Sequence, residues 1–597
     1  MKRLRTGVLA GVAASLVVAV FAGSGGAADT SYDGTRTILF NGKPTFPIAL
    51  SPGPPLGSTS PSGMNGLAET SLAGVNLYRV GSGGATWSAS DLSSVLDWDR
   101  AAAALHVYTW PNLGGYSLAT PGSLEDAGLA NVIDTLTSDP SGSAIAMWKG
   151  RDEPWWSGIF PSQLQFAYCR VTGRGTPAWC DGESPLDPGQ LWVTIEAPRG
   201  VAGDLALYAP VTDVHGVDVY PVTIANPDPD LHSVGEWTAL VNSLIPARPV
   251  WTTLQICSSG SWDKTTGEFV LPTYEQERYM AYDAIVNGAR SLTFFGGGTQ
   301  GCWSSSDAQY GWNWTFWQGV LKPLVQQLSA TSAIAPALVN SAPTTPVTAS
   351  DATTETLLKQ GTSVDDLWVI AARSGDGSAT VRFQGLPGWV HRGAVYTENR
   401  SVTASRGSFS DRFAQWDVHV YHFVEPLILR KQAPSRAAVG SHVTLRGKGL
   451  AAVKSVSFGG ARARFKIVSD KEIVATVPRK AKSGSTVLTS SLKQVKSSFR
   501  LLPGSLRKPR IIGKPQLGRR LRATTGTWSG GKLTDRRFQW LTCNSHGVRC
   551  VPVKGATRRT LSLGPTGVGR RYRVVVMVRT ASGRASARSA ATATVTR

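Results

Sequence analysis

Charged residues are sparse in this chain of 597 residues: Asp, Glu, Lys and Arg make up 17%, against 42% apolar residues. Disorder requires the opposite balance, so a largely unfolded chain is excluded. After residue 30 no apolar run approaches the ~20 residues needed to span a bilayer, which excludes a polytopic membrane protein. There is no CxxC pair and no dense His/Cys cluster. The eight His are scattered, so spacing yields no metal constellation, and no cofactor is implied. The GxSxG elbow of α/β-hydrolases is missing. Gly296-Gly297-Gly298 lacks the Lys-Ser/Thr that would complete a phosphate-cradling loop.

Acidic residues almost vanish near the C-terminal end. Residues 427–597 hold 37 Lys/Arg against 3 Asp/Glu, a net +34, whereas residues 1–426 hold 24 against 37, a net −13. An acidic front joined to a basic tail bears on partners, not on fold. At about 150 residues per domain the length allows three to five domains.

Residues 1–28 read as a secretory signal peptide: Lys2, Arg3 and Arg5, then an apolar stretch from Gly7 to Gly23, then small residues before Asp29. No Cys ends the apolar stretch, so no lipid anchor is expected there. Export places the six Cys in an oxidising compartment, where an even count suggests disulfides. Proximity along the chain pairs Cys169 with Cys180, Cys257 with Cys302 and Cys543 with Cys550.

What is present in the front half is alternation. Short apolar runs at 45–51, 76–81, 106–111, 144–149, 191–197, 216–221, 249–256 and 291–296 are separated by amphipathic stretches such as 91–105, 125–138, 231–244 and 274–289. Eight such units over residues 36–335 match a (β/α)8 TIM barrel, whose strands are buried on both faces and so read as continuous apolar runs. Residues 336–426 switch to short strands with turn signals, a small β-sandwich. Residues 427–502 and 503–597 read as two further all-β domains, with 504–515 as a linker.

Active sites of such barrels lie at the C-terminal strand ends. There the chain offers Arg79, Trp110, Asp152-Glu153, Glu196, Asp218 with Tyr220, and Gln255. Glu153 is the sharpest candidate. It follows a buried run and precedes Pro154, Trp155 and Trp156, and a carboxyl group desolvated by indoles can act as an acid near neutrality. Glycoside cleavage needs a second carboxyl group, and Glu196 and Asp218 both qualify. Fifteen of the 20 Trp lie between residues 87 and 317. Trp110, Trp148, Trp155, Trp251 and Trp303, with Asp152, Tyr220 and Gln255, are candidates for holding a sugar, whose apolar faces stack on flat rings.

These segments resemble a known group. Asn41-Gly42-Lys43-Pro44-Thr45-Phe46-Pro47-Ile48, Gly150-Arg151-Asp152-Glu153-Pro154, Gly216-Val217-Asp218-Val219-Tyr220-Pro221 and Asn287-Gly288-Ala289-Arg290 are similar to strand segments of clan A-type glycoside hydrolases. Phe409-Ser410-Asp411-Arg412-Phe413 and Val418-His419-Val420-Tyr421 are similar to the β-domain that often follows those barrels. The resemblance implies Glu153 as general acid/base and a nucleophilic Glu at the end of strand seven. Gln255 stands in that place, and a neutral amide cannot form a glycosyl-enzyme ester. In the tail, Val439-Gly440-Ser441-His442-Val443-Thr444-Leu445-Arg446-Gly447 with Val456-Ser457-Phe458-Gly459-Gly460 resembles an IPT/TIG domain. Gly526-Thr527-Trp528 and Gln539-Trp540-Leu541-Thr542-Cys543 resemble an Ig-like module of secreted actinobacterial proteins.

The expectation is a secreted or cell-surface glycoside hydrolase-like protein acting on a poly- or oligosaccharide. The alternative is an inactive carbohydrate-binding or adhesin-like protein. Basic clusters at 507–510, 519–522 and 570–573 suggest anionic cell-envelope polymers as partners, and no physiological nucleic acid is expected.

Overall fold

The computed structural model describes residues 28–83, 86–200, 202–340, 346–490 and 493–597, so the expected signal peptide, apart from Ala28, lies outside the described residues. Eight parallel strands form one sheet: β1 (Ile48–Ser51), β2 (Leu77–Val80), β3 (Tyr108–Pro111), β4 (Met147–Asp152), β5 (Leu191–Glu196), β6 (Val214–Asp218), β7 (Val250–Gln255) and β8 (Ala289–Phe295). Their order is β3-β2-β1-β8-β7-β6-β5-β4. Parallel bridges Thr109–Ile145 and Asn112–Lys149 close the seam between β3 and β4. The fold is the expected barrel. Every residue of β5, β6 and β7 is buried, which is why these strands carry no polar–apolar alternation.

Local signals set the helix ends. Ser88 with Asp91 and Thr273 with Gln276 form capping boxes that start Ala89–Leu105 and Tyr274–Val286. The second helix stops three residues before the expected 289. Gly288 has φ +109° there, and an added Cβ would stand 2.6 Å from the Asn242 amide, so the chain turns directly into β8.

The first expected strand, 45–51, divides. Lys43–Thr45 belongs to a small antiparallel sheet with Thr30–Tyr32 and Ile38–Phe40, turned by Asn41 (φ +51°) and Gly42 (φ +70°). Pro47 has no N–H to extend a ladder, and β1 begins after it. Ile38 and Phe40 join Ala49, Leu77, Trp110, Val193 and Trp251 in the core inside the barrel.

All-β sheets follow. Thr348–Ala349, Ala379–Gln384 and Ser408–Phe413 form one sheet. A five-stranded sheet comprises Thr354–Gln360, Asp366–Arg373, Val418–Val424, Arg392–Val395 and Arg400–Thr403. Further on, a four-stranded and a five-stranded sheet enclose a core that includes Val443, Leu445, Val456, Phe458 and Ile473. The last core is built on Trp540, Val574 and Val576. The segment expected as a linker carries strands Ser505–Arg507 and Ile511–Ile512, paired with Thr527–Trp528 and Arg520–Ala523. By compactness the chain forms two units. One holds the barrel with Val369–Phe383 and Ser410–Val420; the other holds Gln360–Trp368, Gln384–Phe409 and Tyr421–Arg597.

Candidate active site

The C-terminal ends of the barrel strands surround a cavity of about 750 Å³. Its floor is polar: Arg79 from β2, Lys149 and Asp152 from β4, Asp218 from β6, Thr253 from β7 and Thr293 from β8, with Glu153 just past β4. Tyr220, Trp156, Trp262 and Phe295 supply aromatic wall.

Backbone geometry aims Glu153. The register of β4 against β5 shifts between Lys149 and Asp152, a bulge that re-aims the side chains after it. Gly150 permits the close approach, because a Cβ there would meet the Trp192 indole at 2.3 Å. Glu153 itself has φ +42°, a left-handed conformation uncommon for any residue but Gly, Asn or Asp. Its N–H donates to the Ile195 carbonyl at 2.8 Å, which ties the turn to β5.

Charge is distributed unevenly across this floor. Lys149 is almost wholly buried and its Nζ lies 2.6 Å from Asp152 Oδ1. Burial would raise the Asp152 pKa, but Lys149 and Arg79 outweigh it and hold the group charged, below the usual range. Glu153 and Asp218 lie near enough that each affects the ionisation of the other. Burial raises Glu153, and the Asp152 charge adds to it. Burial also pushes Asp218 well up, reinforced by Glu153 and Asp152, while the nearby Tyr220 acts the other way. Two neighbouring carboxyls that cannot both ionise hold one proton between them to a higher pH than either would alone.

The other candidates lie elsewhere. Glu196, at the end of β5, is fully buried and lies off the cavity wall; its Oε2 accepts the Trp155 N–H at 3.2 Å and its Oε1 has no partner. Gln255 is also fully buried. Its Nε2 donates to Val222 O at 2.7 Å and to Ser261 Oγ at 3.1 Å, and its Oε1 accepts the Val222 N–H at 2.9 Å, so its amide fastens the loop after β6 and not a ligand. Thr253 is the residue of β7 that faces the cavity.

Trp110 and Trp251 stack at 4.9 Å inside the barrel, below the cavity, both fully buried. Trp148 is buried in the outer core with its Nε1 donating to Asp187 Oδ2 at 2.9 Å. Trp155 packs against the same core, and Trp303 is half-buried off the cavity wall. None of these five candidates lines the cavity, whereas the candidates Tyr220 and Asp152 do, together with Trp156 and Trp262. Lys149, Thr253, Thr293 and Trp262 were not anticipated. Counting back two residues from Gln255 finds Thr253 on the same strand face, a signal open to the sequence.

Burial holds the Glu196 carboxyl up to about 8, with the charges of Asp218, Glu153 and Asp152 adding to it. An unfolded Glu releases its proton near 4.3. The folded chain therefore binds the extra proton between these values. The stability this provides is complete below the unfolded pKa and is lost as pH rises through about 8. For one proton the decline is at most about 1.4 kcal/mol per pH unit. Glu196→Gln is expected to flatten this decline in urea midpoints taken at pH 5, 7 and 9. Parallel decline in the two proteins would show that Glu196 is not the group releasing the proton.

The strand order and the cavity define a class: a parallel (β/α)8 barrel with a polar site at its C-terminal strand ends, followed by all-β sheets. No protein-family model and no curated protein matches the chain. Among solved structures it is similar to a glycoside hydrolase at 12% identity, covering 67% of this chain and 97% of that one, with a TM-score of 0.43. It is similar to a family 5 glycoside hydrolase from Bacteroides vulgatus at 11% identity, covering 66% and 93%, with a TM-score of 0.43. A family 30 endoxylanase from Clostridium papyrosolvens is similar at 11% identity, covering 67% and 99%, with a TM-score of 0.37. Identity this low carries nothing about substrate.

Proposed function

We propose that the chain is an exported glycoside hydrolase-like protein acting on a poly- or oligosaccharide, with Glu153 as general acid/base. The observation that supports this reading is that Glu153 and Asp218, each raised in pKa, line the same aromatic-walled cavity and affect each other's ionisation. Their role here is to share a proton. Glu153 delivers it to the departing glycosidic oxygen as the C–O bond breaks, Asp218 and Tyr220 steady it, and Asp152, kept charged by Lys149, faces the positive charge that develops on the sugar ring; a water then adds to the anomeric carbon and gives its proton to the Glu153 carboxylate, which restores the acid.

One observation favours the alternative of binding without hydrolysis. Strand β7, where a retaining enzyme would carry its nucleophilic Glu, presents Thr253 to the cavity and ends in the neutral Gln255. Screening the purified chain against a glycan panel, with Glu153→Gln alongside, separates the two. Hydrolysis lost in the variant supports the enzyme; glycan binding with no hydrolysis by the wild type supports the binding protein.

Residues 1–28 are proposed as the signal peptide, 36–335 as the catalytic barrel and 336–426 as an accessory β-sandwich. Residues 427–502 are proposed as an IPT/TIG-like domain and 503–597 as an Ig-like domain. No helix among the described residues is long and apolar enough to cross a membrane. The net +34 of residues 427–597 fits retention on anionic envelope polymers. A polypeptide of residues 427–597 is expected to bind cell walls at low salt and to release as salt screens its charges, while residues 36–426 stay in solution. Equal retention of both, or tail retention indifferent to salt, counts against this role.

A further inference from the structure

Three carboxylates distant in sequence meet in the second compact unit. Asp365 precedes strand Asp366–Arg373, Glu425 follows Val418–Val424, and Asp470 lies in the turn between Arg464–Ser469 and Glu472–Thr476. One oxygen from each lies within 4.8 Å of the others. The backbone holds them there. The Glu425 N–H donates to the Asp365 carbonyl at 2.9 Å, and the Asp470 carboxylate accepts the Gly449 and Ala451 N–H groups at 3.3 Å each.

This cluster has no internal compensation. Asp365 is 6% exposed and Glu425 9%. The Asp365 carboxyl contributes one oxygen to the cluster, and its Oδ2 is buried without a hydrogen-bond partner. Among the described residues no Lys, Arg or His forms an ion pair with any of the three; Lys448 acts on Glu425 only from longer range. Asp365, Glu425 and Lys493 line one cavity of about 210 Å³, without an ion pair between the lysine and either carboxylate. The contrast with the rest of the tail is sharp. Of its three acidic residues, Glu472 pairs with Arg446 at 2.8 Å and Asp535 with Arg537 at 3.1 Å. Asp470, in a segment with 37 Lys/Arg, instead faces two buried carboxylates. Burial and then the Asp470 charge push Asp365 up to about 6, and burial with both neighbouring charges pushes Glu425 up to about 7.

Buried like charges at this separation call for a cation. All the donors are oxygen, which selects a hard ion over zinc or copper. Ca²⁺ accepts six to eight oxygens in irregular arrangements, whereas Mg²⁺ demands a tight octahedron and keeps its waters. We propose that Asp365, Glu425 and Asp470 form a calcium site that fastens the strand ends at 365 and 425 to the turn at 470. It is separate from the barrel cavity and does not depend on the function proposed for it.

The test uses the full chain, stripped with a chelator and titrated with CaCl₂, read by calorimetry and by thermal unfolding. One ion per chain is expected to bind and to raise an unfolding temperature, with MgCl₂ far less effective. Asp365→Asn and Glu425→Gln are each expected to weaken binding at least about tenfold. Without calcium both should be at least as stable as the wild type, because they remove repulsion; that result also shows that they fold. Glu153→Gln should keep the full calcium response. No heat and no shift up to about 10 mM CaCl₂, above the weakest affinities of extracellular modules, overturns the proposal. An undiminished response in Asp365→Asn and Glu425→Gln overturns it equally.

Discussion

Replacing Glu153 by Gln is expected to lower turnover of any glycan the protein hydrolyses by about 10²- to 10⁴-fold, the range general acid–base groups contribute. KM should change little, because Gln keeps the shape and the hydrogen-bonding capacity of the side chain. Asp218→Asn should act differently. In the wild type the pair holds its last proton to raised pH because ionising both carboxyls would place two negative charges in contact. Removing the Asp218 charge lets Glu153 release its proton at lower pH. The basic limb of the kcat/KM profile should therefore move toward acid, with residual activity below neutrality. Activity that persists near the wild-type rate in Glu153→Gln would falsify the assignment. A basic limb that stays in place in Asp218→Asn would remove Asp218 from it.

The second large effect concerns stability. The structure closes all three expected disulfides, Cys169–Cys180, Cys257–Cys302 and Cys543–Cys550, with Cα atoms 5.2, 6.1 and 4.0 Å apart. Cys257 and Cys302 matter most. They follow β7 and β8, neighbours in the sheet, and Cys257 lines the cavity. Their bridge spans a sequence separation of 45, for which the chain-entropy model gives about 4 kcal/mol. The double variant Cys257→Ala/Cys302→Ala should lose stability of that order in denaturant unfolding, and glycan binding or hydrolysis should fall as the two loops separate. The short Cys543–Cys550 loop should contribute less by the same model. Peptide mapping under non-reducing conditions checks the pairing directly. Free thiols at 257 and 302 in the native protein, or an unchanged unfolding midpoint in the double variant, would contradict the role given to this bridge.

Much of the barrel was legible before folding because its signals are local. Strands buried on both faces are mostly apolar, so 191–197 and 249–256 stand out without any partner in view. Helix starts are written in capping residues such as Ser88 and Thr273. The resemblance of residues 41–48 reads them as the first strand, and the structure divides them between the hairpin at Asn41-Gly42 and the start of β1. The supposed linker at 504–515 misled for a related reason: Pro, Gly and basic residues are as common in exposed edge strands as in connections.

The site was legible only in outline. Position at a strand end pointed to Glu153, Asp218 and Tyr220, and all three line the cavity. The same rule also chose Trp110, Trp251 and Gln255. It failed there because depth in the barrel and the direction of each side chain are set by register between strands, and register is a relation among distant segments. Trp110 and Trp251 sit one layer too low, and Gln255 is held by Val222, 33 residues away.

By itself, then, the sequence determined that the chain makes a parallel barrel followed by β-domains, and it placed cysteines where bridges could form, because apolar runs, caps and proximity act over a few residues. Only the tertiary structure decided that Glu153 meets Asp218, that Glu196 is shut away, and that Asp365, Glu425 and Asp470 converge. Those outcomes depend on packing that brings groups 45 to 105 residues apart within electrostatic reach, where burial removes the water that would otherwise screen them.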